Sequence, residues 1–150
     1  GEPRFERFFQ MAAERYRGRV AVEIGFNDSL AHRIEAGADL FLMPSLYEPC
    51  GLNQMFSLKY GTIPIVRAVG GLKDTVQDYD AASQTGTGFV FQEYDGKALL
   101  GAIDRGLAVF NDGPSWTKLR RRAMAMDYSW ERSAKIYGDL YDQLLASGGA

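Results

Sequence analysis

The sequence predicts a parallel α/β sheet with helices on both faces, and three observations carry that prediction. Apolar runs of strand length alternate with helical stretches at βα spacing. One run, Ala38 to Met43, is apolar throughout except for Asp39, as a strand covered on both faces requires. Helical periodicity then fills the last third of the chain.

The elements follow in order. Phe5, Phe8, Phe9, Ala12 and Tyr16 recur at helical spacing, and Gly18 follows as a stop. Arg19 to Gly25 alternates Val20, Val22 and Ile24 against Arg19, Ala21 and Glu23, which predicts a strand. Asp28 stands where it would cap a short helix containing Leu30, Ala31 and Ile34, closed by Gly37. After the strand ended by Pro44, a helix is predicted over 52–60 with Gly61 as its stop. Ile63, Pro64, Ile65 and Val66 form the next strand, weakened because Pro64 lacks a ladder donor. GTGFVF, residues 86–91, reads as a further short strand. Asp95 is a cap for a helix burying Leu99, Leu100, Ile103, Leu107 and Phe110. Pro114 suits the first turn of the following helix, which carries Trp116, Leu119 and Ala123. Ser129 would cap the last helix, whose stripe of Trp130, Ala134, Tyr137, Tyr141 and Leu144 reads as core packing.

Bulk values narrow the function. At 150 residues the chain fits one domain, residues 1–150. Its 17 Lys and Arg against 19 Asp and Glu leave a net charge of −2, which gives no electrostatic support to a nucleic-acid partner. Lys118, Arg120, Arg121 and Arg122 are the one basic cluster and read as a solvated helix face. No apolar run approaches the roughly 18 residues of a bilayer span, and GEPRFERFF is unlike a secretory signal. No membrane partner is expected. One cysteine, Cys50, and one histidine, His32, argue against a disulfide framework or a metal site. The chain also opens on a helix with no strand before it, so a piece of a longer protein is expected.

Ligands of open parallel sheets sit beyond the carboxyl ends of the strands. That rule points to Gly25–Asp28, Pro44–Asn53, Ala68–Leu72 and the residues after Phe91. SLYEPCGLNQMF is the richest stretch: it sets Glu48 in a strand-to-helix loop, followed by Gly51 and a helix start. Free N–H groups at Gly51, Leu52 and Asn53 would face an anion, and the helix end adds positive potential. Glu48 would accept hydrogen bonds from hydroxyls, so the loop implies a sugar carrying phosphate. AVGGLKDTV adds Gly70 and Gly71 directly after a strand, where backbone approaches a ligand closely.

ADLFLMPSLYEPCGLNQMFSLKYGTIPIVRAVGGLKDTV resembles the donor-binding region of bacterial glycogen synthases and plant starch synthases. GFNDSLAHRIEAGAD, GTGFVF and YSWERSAKIYGDLY match that family's order and spacing. The resemblance covers the chain from Val20 to Leu145. It implies a Rossmann-like fold: the later part of the C-terminal lobe of a two-lobed, GT-B type glycosyltransferase, ending in C-terminal helices. Residues 1–150 would then be a single partial domain, without the N-terminal acceptor lobe or the first strands of their own lobe.

The implied activity is transfer of glucose from ADP-glucose to the non-reducing end of an α-1,4-glucan, with retention. By resemblance Glu48 is the catalytic acidic residue against the donor glucose. Cys50, Gly51, Leu52, Asn53 and Gln54 would line the sugar and phosphates, largely through backbone amides. Phe26 stands where the family commonly stacks a tyrosine on adenine, and Val69, Gly70 and Gly71 would close the pocket beneath the donor. Phe56 occupies the position at which related transferases carry a second Glu, which favours the synthases over a UDP- or GDP-sugar transferase. No cofactor is implied beyond the donor substrate ADP-glucose. The α-glucan would be held through the missing lobe, in a bacterial cytoplasm or a plastid. The isolated chain is expected to be inactive, since the upstream Arg and Lys that bind the donor phosphates are absent. A stand-alone nucleotide- or glucan-binding module is the reading from a different class.

Overall fold

The structure, a computed structural model, describes residues 2–147. The chain divides into two compact units, Gly1–His32 and Arg33–Ala150. In the first, helix α1 spans Pro3–Arg15, with a proline in its first turn. Phe5 and Phe9 of α1 and Ile24 line one shallow groove, together with Glu2, Glu6, Glu23 and Gly25. The strand predicted at 19–25 is not formed: among the described residues this stretch joins no ladder. Alternation fixes which side chains share a face, but a strand also needs a partner that accepts its hydrogen bonds.

Helix α2 spans Asp28–Gly37. Its cap is Asn27, whose Oδ1 accepts from the Leu30 N–H at 3.0 Å. The expected cap, Asp28, is instead the first helical residue, where its charge still favours the positive helix end.

The second unit holds a three-stranded parallel sheet in the order β1 (Leu40–Met43), β2 (Ile63–Arg67), β3 (Phe89–Phe91). Leu40 pairs with Ile63 and Ile65 with Phe89. Pro64 is tolerated in the central strand for a positional reason. Ile63 donates toward β1, to the Asp39 carbonyl at 2.9 Å, so the missing donor of Pro64 faces β3. The β2–β3 ladder begins only at Ile65, one residue beyond the gap.

Alternation in β2 divides the core. Ile63 and Ile65 face Leu58, Phe89, Ala102, Trp116, Leu119 and Ala123. Val66 faces the other side, against Leu72 and Val76. Leu58 belongs to α3 (Asn53–Tyr60), Ala102 to α5 (Gly96–Phe110), and Trp116 and Leu119 to α6 (Gly113–Met124). Leu72 belongs to α4, Gly70–Thr75. Helices therefore cover both faces of the sheet, as the sequence predicts. Gly61 ends α3 in the left-handed conformation at φ 80°, a conformation that costs a Cβ-bearing residue more. Asp95 caps α5 by accepting from Lys97 N at 2.7 Å and Ala98 N at 2.9 Å.

Two expected faces are corrected. On α5 the buried residues are Ala102 and Gly106, with Leu99 and Ile103 partly buried, while Leu100, Leu107 and Phe110 are exposed. The small residues let the helix lie close on Ile65 and Phe89, which turns the larger neighbours outward. Helix α7, Trp130–Ser147, starts directly after the expected cap, with Ser129 Oγ accepting from Arg132 N at 3.3 Å. Its aromatic stripe is not core: no residue of α7 is buried, and Trp130 is 88% exposed.

Candidate functional site

Three loops leave the carboxyl ends of the strands: 44–52 after β1, 68–69 after β2 and 92–95 after β3. Loop 44–52 delivers Glu48, which is partly buried. Its Oε2 accepts from Ser45 Oγ at 3.4 Å. Among the described residues it pairs with no lysine or arginine. The carboxylate therefore keeps acceptor capacity for another partner. Helix α3 begins directly after this loop, and no side chain caps it at Leu52. Met55 N donates to the Leu52 carbonyl at 2.9 Å, which leaves the Asn53 and Gln54 N–H groups and the positive end of the dipole toward an anion.

The loop is pinned against α4 with no side chain between. Gly71 N donates to the Glu48 carbonyl at 3.3 Å. A Cβ at Gly71 would collide with the carbonyl of Cys50, and one at Gly70 with that of Glu48. Gly70 also adopts φ +46°, so both glycines are dictated by geometry. Gln54 completes the junction. It is 0% exposed, and its Nε2 donates to Gly51 O at 3.0 Å, Cys50 O at 3.2 Å and Thr75 Oγ1 at 3.1 Å. Thr75 Oγ1 donates onward to Gly71 O at 2.6 Å. Tyr128 Oη donates to Thr75 O at 2.5 Å, and burial raises its phenol above the ordinary value.

Arg67, the last residue of β2, reaches two of the three loops. Its Nη1 donates to Leu46 O at 3.1 Å and Ser45 O at 3.3 Å, and its Nε to Gln92 O at 3.1 Å. Its guanidinium carbon lies 5.4 Å from the ring centroid of Tyr94, within cation–π range.

The structure thus brings together Glu48, Cys50, Gly51, Leu52, Asn53, Gln54, Gly70 and Gly71 around one junction. Cys50 is a free, exposed thiol. Leu52 and Asn53 are exposed, as is Phe56 on α3. Val69 is partly buried and packs against the cluster of Val66, Leu72 and Val76. Gln54 contributes structure, since its amide hydrogens are taken by the protein itself. Phe26 belongs to the other unit and is 96% exposed. Among the described residues no cluster of three or more His, Cys, Asp or Glu could hold a metal ion. No helix among them is long and apolar enough to cross a membrane.

Sequence reasoning passed over Arg67, Thr75 and Tyr128. A signal existed for the first: an arginine closing the apolar run IPIVR falls at the carboxyl end of a central strand, where polar side chains meet loops. The basic cluster on α6 is largely committed to the protein. Lys118 reaches Gln84 Oε1 at 2.9 Å, Arg120 reaches Gly61 O at 3.0 Å and Arg122 reaches Gly86 O at 3.1 Å.

Residues 1–123 match the family described as "Glycosyl transferases group 1". A glycogen synthase of Anaeromyxobacter sp. (strain K) is 59% identical over 96% of this chain, which covers 30% of that protein. A glycogen synthase of Halorhodospira halophila is 53% identical over 99% of this chain and 31% of its own length. Among solved structures, the catalytic domain of starch synthase IV from Arabidopsis thaliana, bound to ADP and acarbose, superposes with TM-score 0.82. It shares 35% identity, over 94% of this chain and 30% of its own. Sucrose-phosphate synthase from Thermosynechococcus elongatus superposes with TM-score 0.65 at 30% identity, over 96% of this chain and 35% of its own.

Proposed function

Since the chain belongs to the group 1 glycosyl transferases, we propose that it is the donor-binding part of an α-glucan synthase using ADP-glucose. It spans about 30% of the length of the curated glycogen synthases it matches, so the whole activity is the property of a longer polypeptide. The observation that carries the reading is the uncapped first turn of α3 set directly behind Glu48. The helix end receives the diphosphate through backbone N–H groups. Glu48 lies against the donor glucose, accepting its hydroxyls and stabilising positive charge that develops as the sugar–phosphate bond breaks. The glucan hydroxyl attacks from the face the leaving group vacates, which retains configuration. Val69, Gly70 and Gly71 form the floor beneath the donor.

The ADP in the starch synthase structure supports the choice of nucleotide. The α-glucan acceptor is assigned to the rest of the polypeptide, no metal or cofactor takes part, and the bacterial relatives support a cytoplasmic setting. Alone, this chain does not extend glucan. A departing diphosphate needs cations, and Arg67 has its Nε and Nη1 committed to loop carbonyls. The test is an amide-shift titration of the chain with ADP and, separately, UDP. Shifts at residues 48–56 and 69–72 that are larger with ADP are expected. Larger shifts with UDP would reassign the donor, and no shift at millimolar ADP would remove nucleotide binding from this chain.

A further inference from the structure

We propose that Arg67 is a positioning residue for Glu48, an inference that rests on the transferase reading given above. The guanidinium is a fork with one arm on each side of β2: Nη1 holds the Ser45 and Leu46 carbonyls, and Nε holds the Gln92 carbonyl. Ser45, so held, presents its hydroxyl to Glu48 Oε2 at 3.4 Å. Tyr94 packs against the guanidinium and comes from the same loop as Gln92. One side chain thereby sets the height of the Glu48 loop over the sheet and ties it to the loop after β3.

The opposite end of the Glu48 loop is already fixed, through Gln54 and the contact of Glu48 O with Gly71 N. Arg67 anchors the end nearer β1. Without it, Ser45 to Tyr47 would be free to rise from the sheet, and Glu48 would be held by its backbone on one side only. A lysine cannot replace this fork: a single ammonium reaches one loop or the other, and it lacks the flat face that Tyr94 covers. Displacement of a reacting group by about 1 Å can cost 100-fold in rate, so turnover is the sensitive quantity and donor binding, built on the α3 helix end, is not.

The experiment has two arms. In the 150-residue chain, Arg67→Met and Arg67→Lys are compared with wild type by amide hydrogen exchange and 15N relaxation. Faster exchange and new motion confined to residues 45–48, with an unchanged melting temperature, are expected in both. In the full-length polypeptide, the same variants are expected to lose about 10-fold or more in kcat with the KM for ADP-glucose held within about twofold. Ser45→Ala should reproduce part of that loss and add little to Arg67→Met. Wild-type kcat in Arg67→Met, full rescue by Arg67→Lys, or a loss that tracks global unfolding would overturn the proposal. If wild-type full-length protein transfers no glucose, the functional reading fails, while an undisturbed 45–48 loop in the first arm would by itself sink the role of Arg67.

Discussion

The amide of Gln54 donates to the hydroxyl of Thr75 across 3.1 Å, and that hydroxyl donates onward to the Gly71 carbonyl at 2.6 Å. Two residues 21 positions apart thereby join the two glycine-bearing segments of the candidate site. Thr75→Val keeps the shape but leaves the Gly71 carbonyl without that donor and removes an acceptor from a buried amide. A loss of about 1–3 kcal/mol in urea unfolding is expected. Thr75→Ser, which restores the hydroxyl, should recover most of it. Equal stability of the valine and serine variants would count against the junction.

Gly71→Ala puts a methyl group onto the Cys50 carbonyl, backbone against side-chain root, with no rotamer to relieve it. Gly70→Ala adds the left-handed φ of +46° to a similar collision, worth about 1–3 kcal/mol in strain alone. Both variants should lower the melting temperature and weaken ADP binding together, as measured by calorimetry on the same samples.

Glu48→Gln retains shape and hydrogen bonding but removes the charge. In the full-length enzyme it should reduce kcat by roughly 100- to 1,000-fold, the range for loss of one preorganised electrostatic group, with little change in the KM for ADP-glucose. Steady-state kinetics with glycogen as acceptor measures both. A change confined to KM would make Glu48 a binding residue only.

Tyr128 gives the fold an alkaline limb. Its folded-state value is raised above the ordinary 10.0 by burial, against a smaller opposing effect of Arg132. The folded protein thus holds this proton more tightly than the unfolded chain. The resulting stabilisation is complete below about pH 10 and is lost as pH climbs from there through the folded-state value. Tyr128→Phe should flatten that decline. It should also cost about 0.5–1.5 kcal/mol at neutral pH through the lost bond to Thr75 O, as read from urea titrations across pH.

Asp95→Ala should cost about 1 kcal/mol by exposing the N–H groups of Lys97 and Ala98, with ADP binding unchanged. Asp95→Asn should be nearly silent. Paired denaturation and nucleotide titrations check both.

What the sequence made legible follows from the physics of each element. Helix stops and caps at Gly61 and Asp95 are local decisions between neighbours, so composition over a few residues reveals them. The Glu48 loop was legible because strand, carboxylate, glycine and helix start fall within a dozen residues. Other features depended on distant partners. The 19–25 stretch has the alternation of a strand but no ladder among the described residues. The buried face of α5 was rotated because Ala102 and Gly106, not the larger residues, meet the sheet. Arg67, Thr75 and Tyr128 act across separations of 21 to 53 residues, beyond the reach of any local pattern.

The contact of Gly70 and Gly71 with the Glu48–Cys50 backbone limits how such a site can evolve. Where two main chains touch, there is no side chain to exchange, and drift has no small steps to take. New donor preferences would have to be written on the rim instead, at exposed positions such as Cys50, Leu52 and Asn53. A library built to change the sugar or the base should therefore hold the floor constant and diversify the rim, because any side chain added to the floor meets backbone.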